Sequence, residues 1–243
     1  MELKLELIKV KDYEEMTEKL LEIFVEQLKN KPDSVLSFTT GATPKGLLER
    51  LAEEINNGLD VSESVFCNLD EYVCDKEKVC SVYHFMNSCL YDKIEKKPKE
   101  MLMFNGEAAN QEEELKRYEK LMEKYPRNIQ LLGLGSNAHI GANEPGTPFD
   151  SKMFVADSLE STIEATKNLF YMTMEEVPTQ MYTLGFKEIM AADRVILAAA
   201  GKSKAEAVKK VIQGEITEDI PASKLKEHPN FIFIIDEEAA SLL

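Results

Sequence analysis

The sequence contains no tryptophan, three histidines and four cysteines among its 243 residues. The cysteines lie within one stretch of the chain, and no two of them form a Cys-x-x-Cys pair, so neither a zinc ribbon nor a thioredoxin motif is indicated. The first residues are charged and lack the apolar core of a signal peptide. We therefore expect reduced thiols in a cytoplasmic protein. The cysteines are Cys67, Cys74, Cys80 and Cys89.

Long apolar runs and excess positive charge are also missing. No run approaches the roughly 18 apolar residues that span a bilayer, so we expect no membrane partner. The net charge is −15, whereas nucleic-acid binding needs clustered cations, so we expect no nucleic-acid partner. Any phosphate site must be made locally, because the overall charge repels anions at long range.

What is present is an alternation of apolar strand-like runs and amphipathic helical segments. This alternation predicts an α/β fold over residues 1–243, a single domain with a doubly wound, mostly parallel sheet and helices on both faces. The segment 145–178 is the least regular and is a possible lid or insertion. The predicted strands are 3–10, 34–38, 64–69, 128–134, 181–184, 194–200 and 231–235, and the predicted helices are 13–28, 46–55, 81–94, 111–123 and 202–213.

The first candidate motif, residues 39–44, joins a predicted strand to a predicted helix. Gly41 permits a tight turn, Thr43 is a candidate N-cap, and Pro44 suits the first helical position. Free N–H groups at a helix start bind anions, so Thr40, Gly41, Ala42 and Thr43 are candidate phosphate-binding residues. A capped turn without any ligand is the alternative interpretation.

Two adjacent acids, Asp70 and Glu71, follow the third predicted strand. Carboxylates this close can push their pKa values apart and leave one as a general base. A solvated acidic loop or a helix N-cap would give the same pattern.

The loop 133–146 is the most informative segment, because it combines glycines, amides, a histidine and a glutamate after an apolar strand. Glu144 could orient the imidazole of His139 and make it a proton shuttle. A further turn, 201–204, repeats the strand–glycine–helix arrangement, and a lysine there could neutralise a phosphate or simply be solvated. No His, Cys and carboxylate set has the spacing of metal ligands.

Together these segments resemble the glucosamine-6-phosphate deaminase family, also called glucosamine-6-phosphate isomerase. The resemblance covers nearly the whole chain, and the pattern Gly-x-Asn-x-His-Ile-Gly-x-Asn-Glu-Pro-Gly is specific. The wider superfamily includes galactosamine-6-phosphate isomerases, 6-phosphogluconolactonases and the effector domains of some repressors. The matching segments are 40–44, 68–72, 133–146, 183–185 and 201–205.

The resemblance implies a reaction in which an amino-hexose 6-phosphate and water give a ketohexose 6-phosphate and ammonia, without metal or organic cofactor. It implies that Asp70 moves a proton between C2 and C1 and that His139 opens the sugar ring. Glu144 and Asn137 lie where the family has the partners of that histidine. The turn 40–43 and Lys204 resemble the phosphate cradle.

Several positions depart from the family pattern. Ala42 is more frequent in the galactosamine branch, Ala138 replaces a glycine, and Ala142 replaces a larger residue, which could widen the pocket. Asn168 stands where the family usually has a phosphate-gripping arginine. Another sugar-phosphate enzyme of this fold, such as a lactonase, and a non-catalytic sugar-phosphate sensor therefore stay open.

The chain resembles the shorter family members, which lack a C-terminal extension found in allosteric hexamers. We accordingly expect a monomer or a small homo-oligomer.

Overall fold

The structure, a computed structural model, describes residues 5–243, and the side chain of Ser161 is not among the described groups. Its strands and helices alternate along most of the chain. The strands are β1 (Leu5–Val10), β2 (Val35–Phe38), β3 (Val65–Asn68), β4 (Asp70–Tyr72), β5 (Glu100–Leu102), β6 (Ile129–Gly133), β7 (Phe154–Asp157), β8 (Gln180–Thr183), β9 (Arg194–Ala199) and β10 (Phe231–Asp236). The α-helices are α1 (Tyr13–Asn30), α2 (Ala42–Asn56), α3 (Val82–Cys89), α4 (Gln111–Lys124), α5 (Glu160–Phe170), α6 (Phe186–Met190) and α7 (Ala205–Gln213).

Seven strands form one sheet in the order β1-β10-β9-β6-β2-β3-β5, and every neighbouring pair is parallel. The predicted parallel α/β sheet is confirmed. The chain places β3 and β5 on one side of β2 and then places β6 on its other side, so the strand order reverses between β2 and β6. Ligands of such sheets bind at this reversal, beyond the carboxyl ends of the strands.

A second sheet, β4-β8-β7, is antiparallel and was not predicted. Its strands are short, and β4 is separated from β3 by Leu69 alone, so the sequence shows one apolar run where the structure has two strands in different sheets. The segment 145–178, expected to be irregular, contains β7 and α5. Residues 3 and 4 of the first predicted strand lie outside the described residues.

Apolar side chains cover both faces of the large sheet. On one face α1 buries Met16, Leu20 and Phe24, which lie at helical spacing against strand residues such as Phe38 and Ile234. On the other face α4 and α7 bury Tyr118 and Val208 among a second set. Because both faces are buried, the central strands are apolar along their whole length.

Two helices begin at side-chain N-caps of the common type. Asp12 accepts a hydrogen bond from the N–H of Glu15 at the start of α1, and Ser81 accepts one from the N–H of His84 in α3. Within residues 5–243, no helix is long and apolar enough to cross a membrane.

Candidate active site

A cavity of about 440 Å³ opens beyond the carboxyl ends of β2, β6 and β9, where the strand order reverses. Its wall also includes the start of β4 and one side of α5. The structure brings the predicted site residues together here, although their segments are far apart in the chain. Those lining the cavity are Thr40, Gly41, Ala42, Thr43, Asp70, Asn137, His139 and Lys204, and Glu144 contacts two of them.

The turn after β2 presents the first turn of α2 to the cavity. Gly41 has φ +112° and ψ −173°, a conformation that is essentially restricted to glycine, and it is the N-cap of α2. The expectation that Thr43 caps this helix is therefore wrong, because the helix begins earlier, at Ala42. The first N–H groups of a helix have no intrahelical acceptor, so this turn can bind an anion.

Tyr13, from α1, fixes the same turn from behind. Its hydroxyl donates to the carbonyl of Ala42 at 2.9 Å and accepts from the N–H of Gly46 at 2.9 Å. The start of α2 is thereby held in place by a neighbouring helix.

Lys204 enters the cavity from the turn that follows β9. The carboxylate of Asp236 accepts from the N–H of Gly201 and holds this turn against β10. Burial lowers the pKa of Lys204 from its usual value. Because it is the one lysine or arginine among the described residues that line the cavity, it is the candidate cation for a phosphate.

Asp70 begins β4 and faces the cavity. It is only 6% exposed, and its Oδ1 is buried without a hydrogen-bond partner among the described residues. Burial raises the pKa of this carboxyl to about 7. A carboxylate that is desolvated and lacks a donor is a stronger base than one in water.

Glu71, the neighbouring acid, has a different environment. Burial raises its pKa to about 7, although three backbone N–H groups favour the charged form. These donors belong to Tyr72, Val82 and Tyr83, at 2.7–2.8 Å, and two of them are at the start of α3. The Glu71 carboxylate therefore binds the start of α3. Asp70 is the acid of this pair that has a free oxygen.

His139 is held by partners from its own loop. The Nδ2 of Asn137 donates to Oε2 of Glu144 at 2.7 Å, and His139 Nδ1 lies 3.3 Å from the same oxygen. The Oδ1 of Asn137 accepts from the backbone N–H of His139 at 3.1 Å. Asn137 thus bridges the histidine backbone and the glutamate, a function that an amide can perform without titrating.

The imidazole of His139 packs directly over the backbone of Gly135. A Cβ at that position would lie 2.5 Å from carbon atoms of the ring. No side chain larger than hydrogen fits there, so Gly135 is required for the position of the ring. Ala138, between Asn137 and His139, has φ +69°, a left-handed conformation that a glycine adopts without strain.

Glu144 remains charged in this arrangement. Burial would raise its pKa, but the His139 imidazole 3.3 Å away and the donors Thr162 and Asn137 bring it down to about 2. The carboxylate can therefore stabilise a protonated imidazole throughout the neutral pH range.

The sequence did not indicate that side chains of α5 and Tyr72 contribute to the cavity wall. Thr162 donates to Oε1 of Glu144 at 2.5 Å, and the hydroxyls of Thr166 and Tyr72 are 2.8 Å apart. All three side chains line the cavity. Threonines in an amphipathic helix carry no local signal of such contacts, which depend on where α5 packs. Whether this segment closes over a ligand stays a prediction.

Two positions that depart from the family pattern are outside the cavity. Ala142 is buried in a cluster with Tyr72 and Met181 and does not itself line the cavity, so the effect of its small size on the pocket stays a prediction. Asn168 is exposed on α5 and does not line it. Position 168 therefore contributes no positive charge to the cavity where the family pattern has an arginine.

The geometry provides an anion-binding turn with a lysine, and two proton-transfer groups, Asp70 at the start of β4 and His139 in the loop after β6. Such a set can bind a small phosphate ester and move protons on the attached carbon chain. Among residues 5–243, no group of three or more His, Cys, Asp or Glu side chains is placed to hold a metal ion.

Comparison with known proteins finds similarity along almost the entire chain. A family model described as glucosamine-6-phosphate isomerases/6-phosphogluconolactonase matches residues 11–233. Glucosamine-6-phosphate deaminase of Thermoanaerobacter pseudethanolicus is 41% identical over 96% of this chain and 92% of its own. The deaminase of Ligilactobacillus salivarius is 42% identical over 98% of this chain and 100% of its own.

A solved structure has the same fold. It is described as a monomeric glucosamine-6-phosphate deaminase and superposes with a TM-score of 0.93 at 37% identity. The match covers 98% of this chain and 100% of the solved one.

Proposed function

The chain belongs to the glucosamine-6-phosphate isomerase/6-phosphogluconolactonase family, and from this premise we propose that it is an amino-sugar-phosphate deaminase. Its substrate is glucosamine 6-phosphate or galactosamine 6-phosphate. With water it gives the ketohexose 6-phosphate and ammonia. The observation that supports this most is Asp70, a buried carboxyl with a free oxygen at the cavity that contains His139.

The substrate phosphate binds at the start of α2, with Thr40, Gly41, Ala42 and Thr43 contributing the turn and Lys204 the positive charge. The net charge of −15 repels anions at long range, so the phosphate is bound by donors that lie directly at this turn. Since the cavity has no arginine in its lining, binding depends on fixed backbone donors more than on charge pairing.

His139 opens the sugar ring by passing a proton to the ring oxygen while the anomeric hydroxyl loses one. Glu144 stabilises the imidazolium form, and Asn137 keeps both groups aligned. The product of this step is an open-chain aldehyde, in which the proton on C2 is more acidic because the carbonyl is adjacent.

Asp70 then removes the C2 proton while one proton moves from the ammonium group to the former carbonyl oxygen, and an enolamine forms between C1 and C2. The same carboxyl returns the proton to C1, which leaves an iminium at C2. Water adds to that carbon and ammonia leaves, so the ketone is formed with all atoms accounted for. Because burial raises the pKa of Asp70 to about 7, the carboxyl can both accept and return a proton near neutral pH.

The second candidate function is that of a 6-phosphogluconolactonase-like hydrolase, because the matching family model also covers those enzymes. A lactonase would use His139 without needing Asp70 as an enolising base. The full-length similarity at 41–42% identity to deaminases favours the first proposal.

We further propose that the protein works in the cytoplasm as a monomer. The four cysteines, all within the described residues, are free thiols, as expected in a reducing compartment. The solved relative with 37% identity is described as monomeric.

The test is ammonia release from glucosamine 6-phosphate and galactosamine 6-phosphate, measured side by side with the wild type and Asp70→Asn. Release from one sugar identifies the substrate, and we expect the variant to lose at least ~10²-fold in turnover, the scale of general-base effects. Asp75→Asn is the matched control, because Asp75 is an exposed acid shortly after β4, the strand that begins with Asp70, and it should retain full activity.

Full ammonia release by Asp70→Asn would exclude Asp70 as the base. Hydrolysis of 6-phosphogluconolactone without ammonia release from either amino sugar would instead establish the lactonase. Tight binding of a sugar phosphate without any turnover would support a sensor.

A further inference from the structure

The hydroxyl of Thr162 occupies the one Glu144 oxygen that is not engaged by the histidine loop. Its Oγ1 donates to Oε1 at 2.5 Å, whereas Asn137 and His139 both approach Oε2. The two carboxylate oxygens therefore have separate partners, one on α5 and the others in the loop after β6. Rotation of the carboxylate would break both sets of contacts.

The distinct contribution of Thr162 is the orientation of Glu144 more than its charge. The pKa of Glu144 is about 2, where burial is opposed first by His139 and then by Thr162 and Asn137. Loss of one donor would still leave this carboxylate ionised at neutral pH. It would remove the only contact to Oε1 found among the described residues.

Thr162 also differs from the other Glu144 partners in the element that carries it. α5 is attached to the cavity wall at a second point by the hydroxyls of Thr166 and Tyr72, and at a third by the edge-to-face rings of Phe85 and Phe170, 6.5 Å apart. The position of α5 therefore determines whether the Thr162 hydroxyl reaches Glu144.

We propose that Thr162 is a positioning residue for the reaction, which acts through Glu144 to hold the His139 imidazole in its proton-transfer orientation. This inference rests on the proposed function for its kinetic consequence, but the orientation of His139 can be measured without turnover. Thr162 itself needs no contact with the reacting atoms.

The kinetic test compares Thr162→Val, which keeps the shape and removes the donor, with Thr162→Ser, which keeps the donor. We expect Thr162→Val to lower kcat about tenfold, since a hydrogen bond to a charged group is lost, while KM changes less than about twofold. Thr162→Ser should restore kcat to near the wild-type value. An unchanged kcat in Thr162→Val would overturn the proposal.

Thr166→Val is the matched control for a general loosening of α5. It removes a hydroxyl one turn away on the same helix, which donates to the backbone carbonyl of Thr162 and pairs with the hydroxyl of Tyr72 but does not contact Glu144. We expect this variant to raise KM with little change in kcat, whereas Thr162→Val should lower kcat with little change in KM. The same loss of kcat in both valine variants would contradict positioning through Glu144.

The second readout is the NMR spectrum of the histidine rings in the ligand-free protein. There are only three histidines, and a His139→Gln variant identifies the relevant signals. We expect the His139 ring resonances to change in Thr162→Val and to be conserved in Thr162→Ser. The other titratable side chains that line the same cavity are Asp70, Tyr72, Cys80 and Lys204, and none of them is altered by these substitutions.

This readout separates the two proposals. If the wild type releases no ammonia but the His139 resonances respond to Thr162→Val and not to Thr162→Ser, the deaminase proposal fails and the positioning of His139 stands. If the wild type is active and the resonances are identical in all three proteins, the positioning proposal fails and the deaminase stands.

Discussion

Asp70 and Glu71 show how two adjacent residues of one chemical type acquire different functions. Burial raises the pKa of each to about 7, but Glu71 accepts three backbone hydrogen bonds, whereas Asp70 Oδ1 accepts none from the described residues. The strand alternation of β4 turns their side chains to opposite faces, one toward α3 and one toward the cavity. The sequence predicts a reactive pair, and only packing determines which member is free.

The raised pKa of Asp70 predicts a pH-dependent stability. The ordinary pKa of the aspartate carboxyl is 3.8, so between about pH 4 and pH 7 the folded protein keeps a proton that the unfolded chain releases. The contribution of this group to stability is complete below that window and is lost as the pH rises through it. Asn has no such proton, so Asp70→Asn should unfold at a higher urea concentration than the wild type at pH 8.

The advantage of Asp70→Asn should decrease when urea unfolding is repeated at pH 5. Glu71 is present in both proteins, so its titration cancels except for the part of its raised pKa that comes from the charge of Asp70, the smallest of its causes. A difference between the two proteins that does not depend on pH would contradict the burial of a titrating Asp70.

Residue types and spacing allowed His139 and Glu144 to be predicted, and the family resemblance added Asn137, which lies in the same eight residues after a strand. Thr162 and Thr166 could not be predicted in the same way. A threonine on a helix has no local pattern that distinguishes a hydroxyl facing solvent from one facing a carboxylate. The position of α5 against β4 and the histidine loop supplies that information.

At the scale of elements, the turn before α2 depends on one backbone conformation. Gly41 and Gly58 both have φ +112°, and a Cβ at either position would meet no atom within 4 Å. Replacement by alanine at either site therefore introduces backbone strain without a clash. Gly41 is at the start of α2 in the cavity wall, and Gly58 follows the end of the same helix.

We expect Gly41→Ala and Gly58→Ala to lower the free energy of unfolding by similar amounts, about 1–3 kcal/mol, because each must hold a conformation that alanine avoids. Only Gly41→Ala should also raise KM, since only its turn forms the anion site. Thermal unfolding and steady-state kinetics on the pair check both expectations. A similar rise in KM for Gly58→Ala would mean that strain anywhere around α2 affects binding.

The alternation of apolar strands and amphipathic helices was sufficient to predict the large parallel sheet. It was not sufficient for β4, β5 and β7, which have three or four residues each and no alternation long enough to recognise. The start of α2 was placed too late, because proline at position 44 suggested the first helical residue while Gly41 already turns the chain. Short strands and turn geometry are set by contacts between distant segments.

At the scale of the whole molecule, charge is the dominant property. A net charge of −15 on 243 residues makes copies of the chain repel one another, which disfavours their association. Light scattering at physiological salt should therefore give the mass of one chain, 27.5 kDa. A hexamer would contradict the expectation, and measurement at low and high salt would separate weak association from a stable assembly.

The loop after β6 contains both Asn137 and Glu144, so much of the support for His139 lies in a single short stretch of the chain. The phosphate-binding turn and Lys204, by contrast, come from segments more than 150 residues apart. Evolution can therefore alter how the phosphate is bound by changing the distant turns while the proton-handling loop is inherited intact. For the same reason, a protein engineer could exchange that loop between relatives as one cassette, provided that the recipient offers a hydroxyl where Thr162 stands.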